Sequence, residues 1–249
     1  MRQILLITDG CSNVGASPVM AAAHALQQGI TVNVAGVIDY GTIGELGSVE
    51  IEEIAKAGGG FSRIVGTRQL AQTIQMMTRK TVVQTIQHAV NKELRHILGE
   101  NGPGSIEELP PPERAKVVEV VDQLTETSNL EVALLIDASA SMKPKLAAVE
   151  EAIRDLNLSL QARMGSSRIS VFHFPGQRSG QDVVRTVEWT SDPAALKTIF
   201  GKLQMKGATP TGPAILEVID YFRYDTLEGQ QHLEETYGKG EGMLGDYVV

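Results

Sequence analysis

Apolar residues along this chain follow two alternating rhythms: short solid runs, and longer stretches repeating every three to four positions. Ile4-Leu5-Leu6-Ile7-Thr8 is a solid run that stops at Asp9-Gly10, the pattern of a buried parallel strand meeting a loop. Residues 16–28 are Ala-rich, read as a helix, and close on Gly29. Residues 31–38 form a second strand, residues 48–57 a short helix with Ile51, Ile54 and Ala55 on one face, and residues 61–65 a third strand. Residues 67–98 carry one stripe at Leu70, Ile74 and Met77 and another at Val83, Ile86, Val90, Leu94 and Ile97. The phase change near Arg79-Lys80 predicts a bend or two successive helices.

Residues 99–129 break the rhythm. Gly102-Pro103-Gly104 and Pro110-Pro111-Pro112 are turn or extended chemistry, with a short helix over Val117, Val118, Val121 and Leu124. Strand and helix then resume. Residues 132–136 are a strand ending at Asp137, and residues 144–164 a long helix with Leu146, Val149, Ile153, Leu156 and Leu160 on one side. Residues 169–174 are a further strand, and the polar–apolar alternation of residues 183–189 suits an edge strand. Helices are expected over residues 193–203 and 214–224, the second with Pro213 in its first turn. Residues 225–249 are Gly-containing and mostly acidic, and read as a mobile tail.

This alternation predicts an α/β fold, a doubly wound and mainly parallel six-stranded sheet of Rossmann-like type. A hydrophobic share of 42% in 249 residues supplies a substantial core. The formal charge of −8 argues against a nucleic-acid surface. No apolar run approaches the roughly 18 residues that span a bilayer, and no signal peptide is evident. A single cysteine, Cys11, excludes an internal disulfide framework and fits a reducing, cytoplasmic setting.

Three segments carry candidate chemistry. Asp137-Ala138-Ser139-Ala140-Ser141 follows a strand, Gly207-Ala208-Thr209-Pro210-Thr211-Gly212 precedes a helix, and Thr8-Asp9-Gly10 follows the first strand. Together, Asp-x-Ser-x-Ser, Thr and Asp-Gly resemble the metal-ion-dependent adhesion site of von Willebrand factor A domains. The resemblance covers residues 3–80 and 130–224. In that family the Asp-Gly element comes last, whereas here it comes first, so the resemblance implies a circular permutation. Residues 1–80 would then be the C-terminal half of the family fold, 81–129 a helical joiner, 130–224 the N-terminal half and 225–249 an acidic tail, all in one composite domain. The implied strand order, numbered along this chain, is 6-5-4-1-2-3 with strand 6 antiparallel at the edge.

The resemblance also implies a ligand set. Ser139, Ser141 and Thr209 would bind Mg2+ (or Mn2+) through hydroxyls, and Asp137 and Asp9 would act directly or through water. Such a hard cation takes oxygen ligands, and the open coordination position would accept an Asp or Glu from a partner protein. The order of motifs looks like the small von Willebrand A-like proteins of endospore-forming, Bacillus-type bacteria, encoded beside a sporulation phosphatase and a serine/threonine kinase. That implies a non-enzymatic interaction module in sporulation or phosphorylation signalling, with a kinase or phosphatase among its partners. A Mg2+-dependent hydrolase and a chelatase-type ATPase partner subunit remain alternatives. A closed monomer is expected over a domain-swapped dimer, since family termini lie close together.

Two departures stand out. Lys206-Gly207-Ala208 replaces the pair of glycines that often precedes the threonine. Lys143 and Lys145 follow the serine loop, placed to pair with a partner carboxylate or to compete with the metal. Other features have plainer readings. Cys11 reads as a small buried thiol, His173 as a satisfied half-buried histidine, and Gly58-Gly59-Gly60 as a helix stop, since it lacks the Gly-Lys-Ser/Thr ending of a phosphate loop. The stripe from Val83 to Ile97 reads as a face turned to its own core.

Overall fold

The computed structural model describes residues 1–10, 12–38, 44–98, 105–176, 181–196, 199 and 207–238. Six strands form one sheet: β1 (Arg2–Thr8), β2 (Ile30–Ile38), β3 (Gly59–Gly66), β4 (Leu130–Asp137), β5 (Ser167–Phe174) and β6 (Val184–Thr190). Their spatial order is β3-β2-β1-β4-β5-β6, the expected order. The four pairings among β3, β2, β1, β4 and β5 are parallel, and β6 pairs antiparallel with β5.

Burial explains the solid apolar runs. Leu5, Ile7, Ala35, Val37, Leu134, Ile136, Ile169 and Val171 point to one face of the sheet. There they meet α3 (Leu70–Leu98), α4 (Pro111–Thr127) and α5 (Leu146–Gln161) through Ile74, Ile86, Val121, Ile153 and Leu156. Ile4, Leu6, Val32, Val34, Ala133, Leu135, Phe172 and Phe174 point to the other face. That face is covered by α1 (Pro18–Gln27), α2 (Glu45–Ala57) and α6 (Thr211–Gly238), through Ala22, Ile54, Ile215, Val218 and Phe222. Strands covered on both faces carry apolar residues at successive positions.

Several segments differ from expectation. α3 is one uninterrupted helix through Arg79-Lys80. Val82 and Ile86 are buried, Val83 is half-buried, and Val90 and Leu94 pack partly buried against the core, but Ile97 is exposed, so the expected core face does not reach the end of the helix. The prolines do not stay extended: Pro111 and Pro112 open α4, where a missing N–H costs nothing. The helix expected from residue 144 begins as a tight 3-10 segment, Ala140–Lys145, before α5. Of the helix expected over residues 193–203, the described part holds a 3-10 turn, Pro193–Leu196; residues 197, 198 and 200–203 lie outside the described set. α6 runs on to Gly238 rather than ending at Tyr224, through Leu, Glu and Gln residues that favour helix; the last part of the expected tail, residues 239–249, lies outside the described residues, as does Cys11. Gly58-Gly59-Gly60 closes α2 and opens β3, with Gly59 at φ 66°, a conformation that favours glycine. No helix among the described residues is long and apolar enough to cross a membrane.

The connections decide where a site can form. β1 leads through α1 to β2 on one side, while β4 leads through α5 to β5 on the other, and α1 and α5 lie on opposite faces. The chain therefore diverges between β1 and β4, leaving a crevice beyond their carboxyl ends where ligands of open α/β sheets bind. Asp9 and Asp137 stand at those two ends.

Candidate functional site

Asp137 is the last residue of β4 and is fully buried. One carboxylate oxygen, Oδ2, accepts a hydrogen bond from the Thr8 hydroxyl at 2.7 Å. The other, Oδ1, accepts the Ser139 N–H at 2.8 Å. Burial pushes the Asp137 carboxyl above the ordinary aspartate range, and the charge of Asp9 adds to that. The hydrogen bonds from Thr8 and Ser139 pull the other way. A buried carboxylate in such a place favours a nearby positive charge.

From Asp137 the site spreads outward through hydroxyls. Ser139 Oγ and Ser141 Oγ lie 3.1 Å apart. The Ser141 hydroxyl donates to Asp9 Oδ1 at 2.8 Å, joining the loop after β4 to the loop after β1. The second Asp9 oxygen, Oδ2, is held by the Lys145 ammonium. Lys145 also reaches the Ser141 carbonyl at 3.4 Å, one helical turn back.

Thr209 joins through its main chain. Its N–H donates to Asn13 Oδ1 at 2.8 Å, and its carbonyl accepts the Asn13 N–H and the Ser12 hydroxyl, both at 3.2 Å. Ser12 in turn donates its N–H to Glu50 Oε1 at 2.9 Å, which fixes the loop against α2. Burial raises the Glu50 carboxyl, and the Ser12 N–H partly offsets it. The start of α6 sits close behind this loop: a Cβ at Gly212 would collide with the Ala16 carbonyl, so glycine permits the approach.

Of the five residues singled out from sequence, four are linked directly: Asp137 to Ser139, Ser139 to Ser141, and Ser141 to Asp9. Thr209 is tied to the loop that follows Asp9. The side chains linked here, two carboxylates and two hydroxyls, are all oxygen donors, the type that suits a hard divalent cation. Among the described residues, at this site or elsewhere, no group of three or more His, Cys, Asp or Glu side chains could hold a metal ion. Sequence reasoning missed Thr8, Ser12 and Asn13. Each lies within a few residues of Asp9; Thr8 carried a signal, a polar side chain directly at a strand end, whereas Ser12 and Asn13 lie in the loop beyond it.

His173 is buried in β5, with Nδ1 2.7 Å from Thr186 Oγ1 and Nε2 without a hydrogen-bond partner, so it is only half satisfied. Burial pushes its pKa below the usual histidine value.

The fold and site thus define a class: a mainly parallel α/β protein with a carboxylate–hydroxyl constellation at the switch point of its sheet. No family model matches the chain. It is 49% identical over 217 residues, 87% of each chain, to the uncharacterized protein YabS of Bacillus subtilis (strain 168). The chain belongs to the family of YabS. A crystal structure of an uncharacterized protein from Alicyclobacillus acidocaldarius subsp. acidocaldarius DSM 446 is similar over 92% of this chain and 96% of that one, at 43% identity and a TM-score of 0.83. Proximal thread matrix protein 1 from the mussel byssus, solved with a zinc-occupied MIDAS motif, aligns over 84% of this chain and 43% of that one, at 16% identity. Its TM-score of 0.26 is too low to support an argument about fold.

Proposed function

We propose that this protein is a divalent-cation-dependent protein–protein interaction module, with a circularly permuted fold of von Willebrand A type. Asp137, Ser139, Ser141, Thr209 and Asp9 would hold Mg2+ (or Mn2+), which supplies an electrophilic centre for a carboxylate oxygen of a partner's Asp or Glu. The observation that carries this reading is the continuous link from Asp137 through Ser139 and Ser141 to Asp9, which unites residues 128 positions or more apart at the switch point.

The chain's own residues prepare the site. Thr8 and the Ser139 N–H orient the Asp137 carboxylate, so its oxygens face fixed donors rather than water. Asn13 and Ser12 hold the Thr209 loop beside Asp9. Two carboxylates balance a dication without quenching it, and neutral hydroxyls leave it able to attract a further anion. The role is binding rather than catalysis, and a closed monomer carries it. The resemblance to von Willebrand A-like proteins encoded beside a sporulation phosphatase and a kinase supports a setting in sporulation or phosphorylation signalling; it rests on analogy, not on the site's chemistry.

The test is calorimetric titration of Mn2+ and Mg2+ into the wild-type protein and Asp137→Ala, with circular dichroism of both. Saturable binding by wild type, lost in a folded Asp137→Ala, is the expected result. Folded wild-type protein that takes up neither cation would overturn the reading. Capture of a partner in Mg2+ but not in EDTA would then extend it to the interaction.

A further inference from the structure

Lys145 is an unusual lysine. Most lysines keep the ammonium in water, yet the side chain of Lys145 is 12% exposed and that of its partner Asp9 is 4% exposed. Neither group sits there by accident of length. Lys145 is the last residue of the 3-10 segment that starts just after Ser139, and that segment aims it back over Ser141 toward the loop after β1. Both Asp9 oxygens are consequently engaged, Oδ1 by the Ser141 hydroxyl and Oδ2 by the ammonium.

Resting on the metal-site reading above, we propose that Lys145 is an internal counter-cation, which a divalent cation must displace from Asp9 in order to bind. A sheltered carboxylate cannot be left unpaired without a large cost, because water no longer solvates it. The ammonium meets that need when no metal is bound, and a metal takes over the same role. The two cations therefore compete for one carboxylate, and Lys145 sets the affinity of the site. Cation uptake then carries a consequence beyond the site itself: the released ammonium moves to the rim, adding a positive charge where an acidic partner would dock. Metal and partner are thereby coupled through one side chain. Lys143, two residues earlier, is exposed and takes no part in this competition.

The experiment is calorimetric titration of Mn2+ into wild type, Lys145→Met, Lys145→Gln and Lys143→Met, together with thermal melts of each with and without Mn2+. Lys145→Met and Lys145→Gln are expected to bind Mn2+ at least about tenfold more tightly than wild type, which corresponds to about 1.4 kcal/mol. Without metal they should melt lower than wild type, and Mn2+ should restore them. Lys143→Met removes the same charge from the same loop and should leave the affinity unchanged. Equal Mn2+ affinity in wild type and both Lys145 variants would overturn the inference while leaving the metal site intact. An equal gain in Lys143→Met would reduce it to a general charge effect and overturn it too. If no protein binds Mn2+, the metal-site reading itself falls, and this inference with it.

Discussion

The Thr8 hydroxyl donates to Asp137 Oδ2 at 2.7 Å, although the two residues are 129 positions apart in the chain. The bond closes the gap between the ends of β1 and β4 and gives a buried carboxylate one of its few donors. Thr8→Val keeps the shape and deletes the donor. Its loss should lower the unfolding free energy by about 1–3 kcal/mol, while Thr8→Ser should retain most of it. Urea denaturation of the three proteins checks this, and matching midpoints for Thr8→Val and wild type would mean that water replaces the hydroxyl.

Asn13 tests whether Thr209 belongs to the metal site. Its side-chain oxygen accepts the Thr209 N–H at 2.8 Å, and Asn13 itself is exposed. Removing the side chain in Asn13→Ala loosens the Thr209 loop without opening the core. Mn2+ affinity should fall about fivefold, the effect of losing about 1 kcal/mol of positioning, while the melting temperature changes little. Unchanged affinity in calorimetry would separate Thr209 from the ligand set.

The strands were readable because burial on both faces forces solid apolar runs, and those runs end at Asp9 and Asp137; their order came only from the resemblance to von Willebrand A domains. The carboxylate–hydroxyl grouping was implied by the same resemblance, to which the place of each motif at a strand end or just before a helix lent local support. Other features depend on distance in space. The sequence puts Lys143 and Lys145 alike beside the serine loop, and nothing in the local pattern singles out Lys145 as the one whose ammonium reaches Asp9, 136 positions away. Helix boundaries were blurred for a different reason. Pro111 and Pro112 suit a first helical turn as well as an extended segment, and the stripe change in α3 is absorbed because successive neighbours cover different sides of one helix.

A second buried polar group ties the sheet together away from the site, within β2. Asn33, fully buried on β2, accepts the Phe61 N–H at 2.9 Å and the Thr81 hydroxyl at 3.0 Å, and donates to Gln3 Oε1 at 3.4 Å. It thereby fastens β3, α3 and β1 to one side chain. Asn33→Leu leaves several buried partners unsatisfied and should cost at least about 2 kcal/mol. A smaller loss by guanidinium denaturation would show that the network relaxes around the substitution.

His173 gives the fold a pH dependence of known sign. Burial lowers its pKa in the folded state, so the unfolded chain takes up its proton first as pH falls. Above about pH 6.5 both states hold neutral imidazole and there is no penalty. Below it the folded state loses ground, until the folded pKa is passed. The stability difference between wild type and His173→Leu should therefore shift against wild type between about pH 7 and pH 5. A difference that stays constant over that window would remove His173 as the source.

The joiner decides how the two halves meet. β1 pairs with β4 along Arg2–Ile7 and Glu131–Ile136, reinforced by the Arg2–Glu131 ion pair at 3.3 Å and by the Glu131 N–H donating to the Met1 carbonyl at 2.9 Å. The described part of the segment between them, residues 81–98 and 105–129, packs against the core. Ile86, Ile106 and Val121 enter the same core as Ile136, and Asn91 Oδ1 accepts the Ile106 N–H at 3.0 Å. A bridge so folded favours closing β1 onto β4 of its own chain, because exchange between chains would require it to leave the core. Light scattering should give a mass of about 26.8 kDa at every concentration. A dimer that persists on dilution would instead assign the β1–β4 pairing to two chains, with each crevice built from Asp9 of one and Asp137 of the other.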